Sequence, residues 1–406
     1  MPNAVFVAPF LLEATNRFIG AAASLPGAQV GLISQDPQER LPEAIRSQLA
    51  GHYRIDDGTD AAQIAGAVER FRRHLGGVDR VIGTLEQLQV PLARVREWFD
   101  IAGMRVEAAQ NFRDKARMKS VMRDHGVPCA GHALAASPEE ALRAARALGL
   151  PLVVKPPAGA GARGTFRVDT EGQLHGWLRF DAPSPDAPAL LEQAVSGEEH
   201  SFDSVMAGGR LVWHSVSRYL PTPLEVLENP WIQWAVLLPR EIGGYHAIRE
   251  AGERALRVLG MDTGLSHMEW FNRGADGIAI SEVAARPPGA QFMTLMSYSH
   301  DVDMYRAWAG LEIFGAFDPP ERHYAVGAAY LRGQGSGRVR AIHGLDTLQH
   351  ELGDLVVEAR LPAAGQAPSG TYEGEGYVIL RHPETSVVEA ALRRVVDVAR
   401  VELAGA

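Results

Sequence analysis

Short apolar runs alternate with amphipathic stretches through the first hundred residues. Val5–Ala8, Val30–Ser34 and Arg80–Gly83 are near-continuous apolar runs, the pattern of parallel strands covered on both faces. Ala61–His74 and Leu92–Phe99 instead space their apolar residues as one face of a helix. This strand–helix rhythm predicts a small doubly wound βαβ domain over residues 1–107. It carries no G-x-G-x-x-G fingerprint, so nothing in it points to a dinucleotide.

The pattern changes after residue 107. Asp114–His125 has helical spacing and stops at Gly126, with Pro128 just beyond. Ser137–Leu148 carries Ser at the N-cap, Pro at the first helical position and Glu139 and Glu140 in the first turn, each favourable there. Strands are expected at Leu152–Lys155, Ala189–Gln193, His200–Met206 and Arg210–Val216, then a helix over Tyr245–Leu259. Asp181–Pro188 reads as a surface loop and Pro319-Pro320 as a linker. The last stretch predicts a smaller α+β unit, with strands at Tyr324–Leu331 and Gly376–Arg381 and a terminal helix over Ser386–Val401. The expected class is multidomain α/β and α+β: an N-terminal domain over 1–107, a central domain over 108–318, with a small subdomain at about 120–195, and a C-terminal unit over 319–406.

Composition narrows the partners. Hydrophobic residues make up 46% and charged residues 22%, ordinary for a globular chain of 406 residues. A net charge of −9 argues against nucleic acid, whose backbone needs a basic face. No apolar run reaches the roughly 18–20 residues of a membrane span, and the N-terminus lacks the basic segment of a signal peptide. The single cysteine, Cys129, cannot form an internal disulfide and reads as core. A cytoplasmic location is the expectation.

The cations are more informative. Of 40 basic side chains only three are lysine, and Lys115, Lys119 and Lys155 all lie in one short stretch. Ammonium is a compact point charge on a flexible stem, suited to wrapping phosphate oxygens, whereas guanidinium is a wide planar fork. Lys155 ends the run Val153-Val154-Lys155 and precedes the glycine-rich loop Ala158–Gly164. Gly159, Gly161 and Gly164 leave backbone N–H groups free to approach an anion. The order, Lys first and glycines after, is not that of a Walker A loop.

This order of strand, Lys, Pro and glycine-rich loop resembles the ATP-grasp superfamily. Upstream, Asn111-Phe112-Arg113-Asp114-Lys115 and Met118-Lys119, followed by Gly126-Val127-Pro128, look like that family's entry helix. The resemblance implies that Lys115 meets the nucleotide phosphates; Lys119, one turn further on, reads as readily as a solvated helix lysine. Downstream, Leu191–Glu199 resembles the adenine-binding segment. There Glu192 and the backbone of Gln193, Ala194 and Val195 would face the base, and Glu199 the ribose hydroxyls. Alone, that segment is equally an edge strand of any α/β protein.

A hairpin is expected over His267–Glu282, closed by Gly274–Gly277. If Arg273 pairs with Ile278, Glu269 stands directly opposite Glu282, where like charges are destabilising. A divalent cation between them relieves this. Oxygen-only ligation beside a nucleotide points to Mg²⁺, with Mn²⁺ as the alternative. Otherwise the two form a polar pair on a solvated face. Arg286 follows, in the place where the family's arginine touches the transferred phosphoryl group and the acyl substrate, and Lys155 and Arg286 are its expected catalytic cations. Ala284 stands where the family usually has a metal-binding asparagine. His267 reads as a hydrogen-bonded structural residue.

The resemblance implies an ATP-dependent, ADP-forming carboxylate–amine ligase working through an acyl phosphate, like bacterial L-amino-acid ligases. Its partners would be a small carboxylate and an amine; similar enzymes often form homodimers. A bicarbonate-using carboxylase or purine-pathway ligase is the alternative, and Ala284 motivates a third, a nucleotide-binding protein without turnover. The 154–170 segment is the expected lid. Trp213, His214, Tyr219, Trp231 and Trp234 would wall an acceptor pocket or pack the sheet.

Overall fold

The computed structural model describes residues 1–159, 164–229 and 232–404. Its N-terminal sheet is parallel, with Gly51–Arg54, Gln29–Ser34, Asn3–Val7 and Arg80–Ile82 side by side in that order. Val5, Phe6, Val7, Leu32 and Ile33 are wholly buried, as runs covered on both faces should be. The strand Gly51–Arg54 has no apolar run, and only its pairing with Gly31–Ser34 makes it a strand. Chain order reverses between Asn3–Val7 and Arg80–Ile82, so the crevice beyond their carboxyl ends is the natural ligand position of such a sheet.

The largest sheet is antiparallel and eight-stranded. In order it holds Ile278–Ala284, Gly264–Asn272, Glu198–Ala207, Arg210–Leu220, Trp234–Leu238, Ala325–Leu331, Gly376–His382 and Val356–Arg360. Strands from the last hundred residues thus extend the central sheet. One face is covered by helices Lys115–Asp124 and His246–Leu259, which bury Met118, Met122, Ile248, Leu256 and Leu259 against Phe202, Met268 and Trp270. Helices Phe292–His300 and Met304–Phe314 cover the other face and carry it onto the N-terminal sheet.

A separate antiparallel sheet, ordered His132–Ala135, Ala189–Gln193, Leu152–Lys155 and Phe166–Val168, backs onto helices Pro138–Leu148 and Glu171–Phe180. Ser137 accepts from Glu140 N–H as its N-cap, as its position predicts. The terminal helix runs from Thr385 to Val398 and stops short of the expected Val401. Arg400–Ala404 instead forms a strand against Arg338–His343, since pairing of an apolar alternation outweighs one more helical turn.

Glu358 fastens the two ends of the chain together. It accepts from Arg17 of the first helix (3.2 Å), Tyr377 (2.7 Å) and Tyr298 (3.1 Å). Burial raises its pKa, but the bonds from Tyr377 and Arg17 outweigh this and hold the carboxyl below its ordinary range. A depressed carboxylate stabilises the fold above its unfolded pKa, and this is lost as pH falls through the folded one. Glu358→Gln should therefore cost about 1–2 kcal/mol at neutral pH. In urea unfolding curves the gap to wild type should close in acid; a pH-independent gap contradicts the assignment.

Candidate active site

Between the small antiparallel sheet and the edge of the large one lies a cavity of about 490 Å³. Two elements deliver its three ammonium groups. Asp114 caps the helix Lys115–Asp124, its carboxylate accepting from the N–H groups of Ala116 and Arg117. That cap fixes Lys115 in the first turn and Lys119 one turn later on the same face. Lys155 arrives from the end of its strand, whose register sets Val153 opposite Glu192 and Lys155 opposite Leu190.

The carboxylates meet these lysines directly. Lys115 Nζ lies 2.8 Å from Glu282 Oε1 and donates to the Gly159 carbonyl at 2.9 Å. Lys155 Nζ lies 3.1 Å from Glu192 Oε2, and Lys119 Nζ 3.4 Å from the same oxygen. Lys119 is completely buried, so the solvated reading of this residue is overturned: its face of the helix packs inward. Burial alone would raise the Glu192 pKa, yet the charges of Lys119 and Lys155 hold it below the usual range. Glu282 behaves likewise, burial opposed by Lys115 and Lys155, with a net lowering. Lys155 is pushed up, desolvation being outweighed by Glu192 and Glu282.

Glu269 does stand opposite Glu282, but by a different register from the expected one. Asn272, rather than Arg273, pairs with Ile278, and a bulge at Ser281 shifts the strand by one and restores the facing carboxylates. Gly274–Asp276 makes the turn as a short 3₁₀ segment, with Arg273 N–H bonded to the Gly277 carbonyl. Ile280 is buried. On the next strand Glu199 is nearly buried, and burial and then the Glu269 charge push its pKa well above the carboxylate range. Gly197 makes this close approach feasible: a Cβ there would lie 2.4 Å from the Asn272 carbonyl oxygen, and its φ is +149°.

The two facing carboxylates of Glu269 and Glu282 offer an oxygen-only pair, and this suits a hard divalent cation completed by phosphate and water. No cluster of three or more His, Cys, Asp or Glu side chains able to hold a metal alone occurs among the described residues. Glu269 and Glu282 would therefore share the ion with other oxygen ligands.

Arg286 lines the same cavity, and its Nε donates to Glu86 Oε2 at 2.7 Å, its Nη1 to the Pro287 carbonyl at 2.8 Å. Glu86 is nearly buried and follows the strand Arg80–Ile82, at the crevice of the N-terminal sheet. His267 Nδ1 bonds to the buried Asp203 at 2.7 Å. That carboxylate outweighs desolvation and lifts the imidazole pKa to about 9.

Of the residues singled out from the sequence, Lys115, Lys155, Gly159, Glu192, Gln193, Ala194, Val195, Glu199, Glu269, Glu282 and Arg286 all line this one cavity, together with Lys119. Gly161 lies outside the described residues. Gly164 is not on the lining; its φ of +68° lets the chain turn beside Pro156. Ala284, where an asparagine was expected, lines the cavity and pairs with His267 across the hairpin. Tyr219 and Trp234 also line it, whereas Trp213 packs on His300 and Phe317 and His214 stacks on Phe202. Trp231 lies outside the described residues. Glu86, Phe292 and Tyr372 had no place in the sequence reading. For Glu86 a signal existed: a lone carboxylate among apolar residues just past a parallel strand.

Residues 114–184 match the family model described as carbamoyl-phosphate synthase L chain, ATP binding domain. The L-arginine-specific L-amino acid ligase of Bacillus subtilis is 24% identical over 279 residues, 66% of this chain and 66% of its own, just under two thirds of that relative's length. Among solved structures, the L-amino acid ligase from Bacillus licheniformis superposes with a TM-score of 0.77 at 18% identity, covering 100% of this chain and 99% of that one. N5-carboxyaminoimidazole synthetase from Staphylococcus aureus, solved with ADP, gives 0.71 at 15% identity, covering 97% and 96%. Residues 114–184 thus resemble an ATP-binding domain, and the whole chain shares its fold with these two structures. No helix among the described residues is long and apolar enough to cross a membrane.

Proposed function

We propose that the chain joins an amino acid, or a small carboxylic acid, to an amine or a second amino acid, releasing ADP and phosphate. The observation that carries this is the convergence of Lys115, Lys155, Glu269, Glu282 and Arg286 on one cavity. A substrate carboxylate oxygen attacks the γ-phosphorus of ATP, ADP leaves, and an acyl phosphate results. The amine nitrogen then attacks the acyl carbon, phosphate departs, and the amine loses a proton. Lys115 and Lys155 meet the charge that develops on the transferring phosphoryl group. Glu269 and Glu282 would hold Mg²⁺, which neutralises phosphate charge when bound. Arg286 would orient the reacting carboxylate, its Nε pinned by Glu86 so that the other end of the fork is left for substrate. The small sheet would close over the site and keep water from the acyl phosphate; of the expected 154–170 lid, residues 160–163 lie outside the described residues.

Amino acids are favoured as substrates because the likeness to the L-amino acid ligase covers the whole chain. The likeness to N5-carboxyaminoimidazole synthetases favours bicarbonate as a second reading. Measuring ADP release from purified protein against a panel of amino acids, amines and bicarbonate decides. Amino-acid-dependent release supports the proposal, bicarbonate-dependent release replaces it, and ATP binding without ADP formation points to Ala284 having cost the site its turnover.

Lys155→Ala should lower ADP release by roughly 10²–10³-fold, the usual effect of removing one transition-state donor. The fold should survive, since Glu192 keeps Lys119 as a partner. Unchanged turnover in a folded variant contradicts the role given to Lys155.

A further inference from the structure

A second cleft, of about 740 Å³, shares no lining residue with the active site. It opens where the first helix, Glu13–Ala23, meets helices Phe292–His300 and Met304–Phe314 and the last two strands of the large sheet. Most charges on its wall are committed within the protein. Glu358 uses both oxygens on Arg17, Tyr377 and Tyr298, and Arg17 uses both terminal nitrogens on Glu358 and the Thr294 hydroxyl. Two charges are not. Arg381 sets Nη1 on Asp301 and the Tyr298 carbonyl, while its Nε and Nη2 have no partner among the described residues. Asp303 gives Oδ1 to the Arg306 N–H as a helix cap, and its Oδ2 has no partner among them either. The Nε–Nη2 edge of a guanidinium takes a carboxylate by two parallel bonds, and a free carboxylate oxygen accepts from an ammonium. The cleft thus offers the complement of an amino-acid zwitterion.

The cleft is also joined to the active site. Helix Phe292–His300 carries Phe292 on the active-site wall and Thr294 and Tyr298 on the cleft. It starts from two consecutive non-glycine residues in the left-handed region, Ala290 at φ +48° and Gln291 at φ +65°. Such backbone persists only where its surroundings impose it. The Tyr330 hydroxyl donates to the Ala290 carbonyl, and the Thr294 hydroxyl to Gln291 Oε1 at 3.2 Å. Thr294 in turn accepts from Arg17 Nη1 at 2.9 Å and from Tyr305 at 2.8 Å, both on the cleft wall. Ala290 itself lines the active site, as Arg286 does. One chain of bonds therefore runs from the cleft, through the strained turn, to that wall.

We propose that this cleft is an effector site for a free α-amino acid, whose carboxylate takes the Nε–Nη2 edge of Arg381 and whose ammonium takes Asp303. A ligand that needs this wall favours the arrangement in which the turn is strained, and so holds Ala290 and Phe292 in place at the active site. Occupancy of the cleft tightens binding of the carboxylate substrate, and the substrate tightens the cleft by the same factor. The cleft stands without the ligase reading above; the coupling rests on it.

The test titrates the full chain by calorimetry with a panel of L-amino acids, and with acetate and methylamine as probes of one charge each. Two variants lie outside the active site: Val302→Trp fills the cleft from an exposed position, and Arg381→Gln removes the fork. At least one amino acid should bind wild type about tenfold or more tightly than it binds either folded variant, and tighter by as much than acetate or methylamine binds wild type. With that amino acid present, the KM for the carboxylate in ADP release should fall about fivefold or more in wild type and stay fixed in the variants. Amino-acid binding that both variants retain overturns the site, and so does a panel of which nothing binds wild type. Acetate bound as tightly as the amino acid overturns the zwitterion assignment. Variant-sensitive binding with no change in KM overturns the coupling. Should one variant fail to fold, the other carries the comparison. Absence of ADP release from wild type, with cleft binding intact, takes down the ligase reading and the coupling, and leaves the amino-acid site standing.

Discussion

Glu282→Ala is expected to abolish magnesium-dependent ADP release, by at least roughly 10²–10³-fold, while the protein stays folded. Two functions meet in this carboxylate. It faces Glu269 across the hairpin, and it holds Lys115 Nζ at 2.8 Å. Removing it halves the oxygen donors offered by the protein to the metal and frees a lysine meant for phosphate. Breaking a buried pair costs roughly 3–5 kcal/mol where the remaining charge has nothing else. Lys115 keeps the Gly159 carbonyl, so the cost here should be smaller. Glu282→Gln sharpens the test, since an amide oxygen still accepts from Lys115 but brings no charge to the metal. Its ADP release should stay low at ordinary Mg²⁺ and recover in part at high Mg²⁺. Thermal unfolding run alongside separates lost chemistry from lost fold. Full activity in either folded variant removes Glu282 from the site.

Residues that act through local sequence order were readable without the structure. Lys155, Gln193 and the strands ending at them sit where the apolar runs and the scarcity of lysine put them. Facing carboxylates at 269 and 282 were also foreseen, but by way of a register one residue out. A bulge has no sequence signal of its own; here it is enforced by the neighbouring strand Glu198–Ala207, which fixes Glu269 against Ser201. What the sequence hid was distance. Glu86 reaches Arg286 across 200 residues, and Tyr372 comes to the cavity from a loop of the C-terminal region that no motif marks. Lys119 was ambiguous for a related reason: helical spacing tells which face it shares with Lys115, but only the packed sheet decides that this face is buried.

Arg286→Ala should lose turnover by about 10²-fold or more, with ATP affinity changed far less. The asymmetry follows from where the side chain is anchored. Its Nε and Nη1 are committed to Glu86 and Pro287, on the side of the N-terminal sheet. Arg286 lines the cavity together with Tyr219, Phe292 and Tyr372, and the Tyr219 and Phe292 rings meet edge to face. A single substitution is nevertheless ambiguous, because it leaves the nearly buried Glu86 carboxylate unpaired, a loss that can reach roughly 3–5 kcal/mol. The double variant Glu86→Gln with Arg286→Ala removes that uncompensated charge. It should recover most of the stability lost by Arg286→Ala, and none of the turnover. Calorimetry of ATP binding beside single-turnover ADP formation reads the two effects apart. Parallel loss of nucleotide affinity and turnover would put Arg286 at the nucleotide instead of the reacting carboxylate. Recovery of turnover in the double variant would make it only a counter-ion for Glu86.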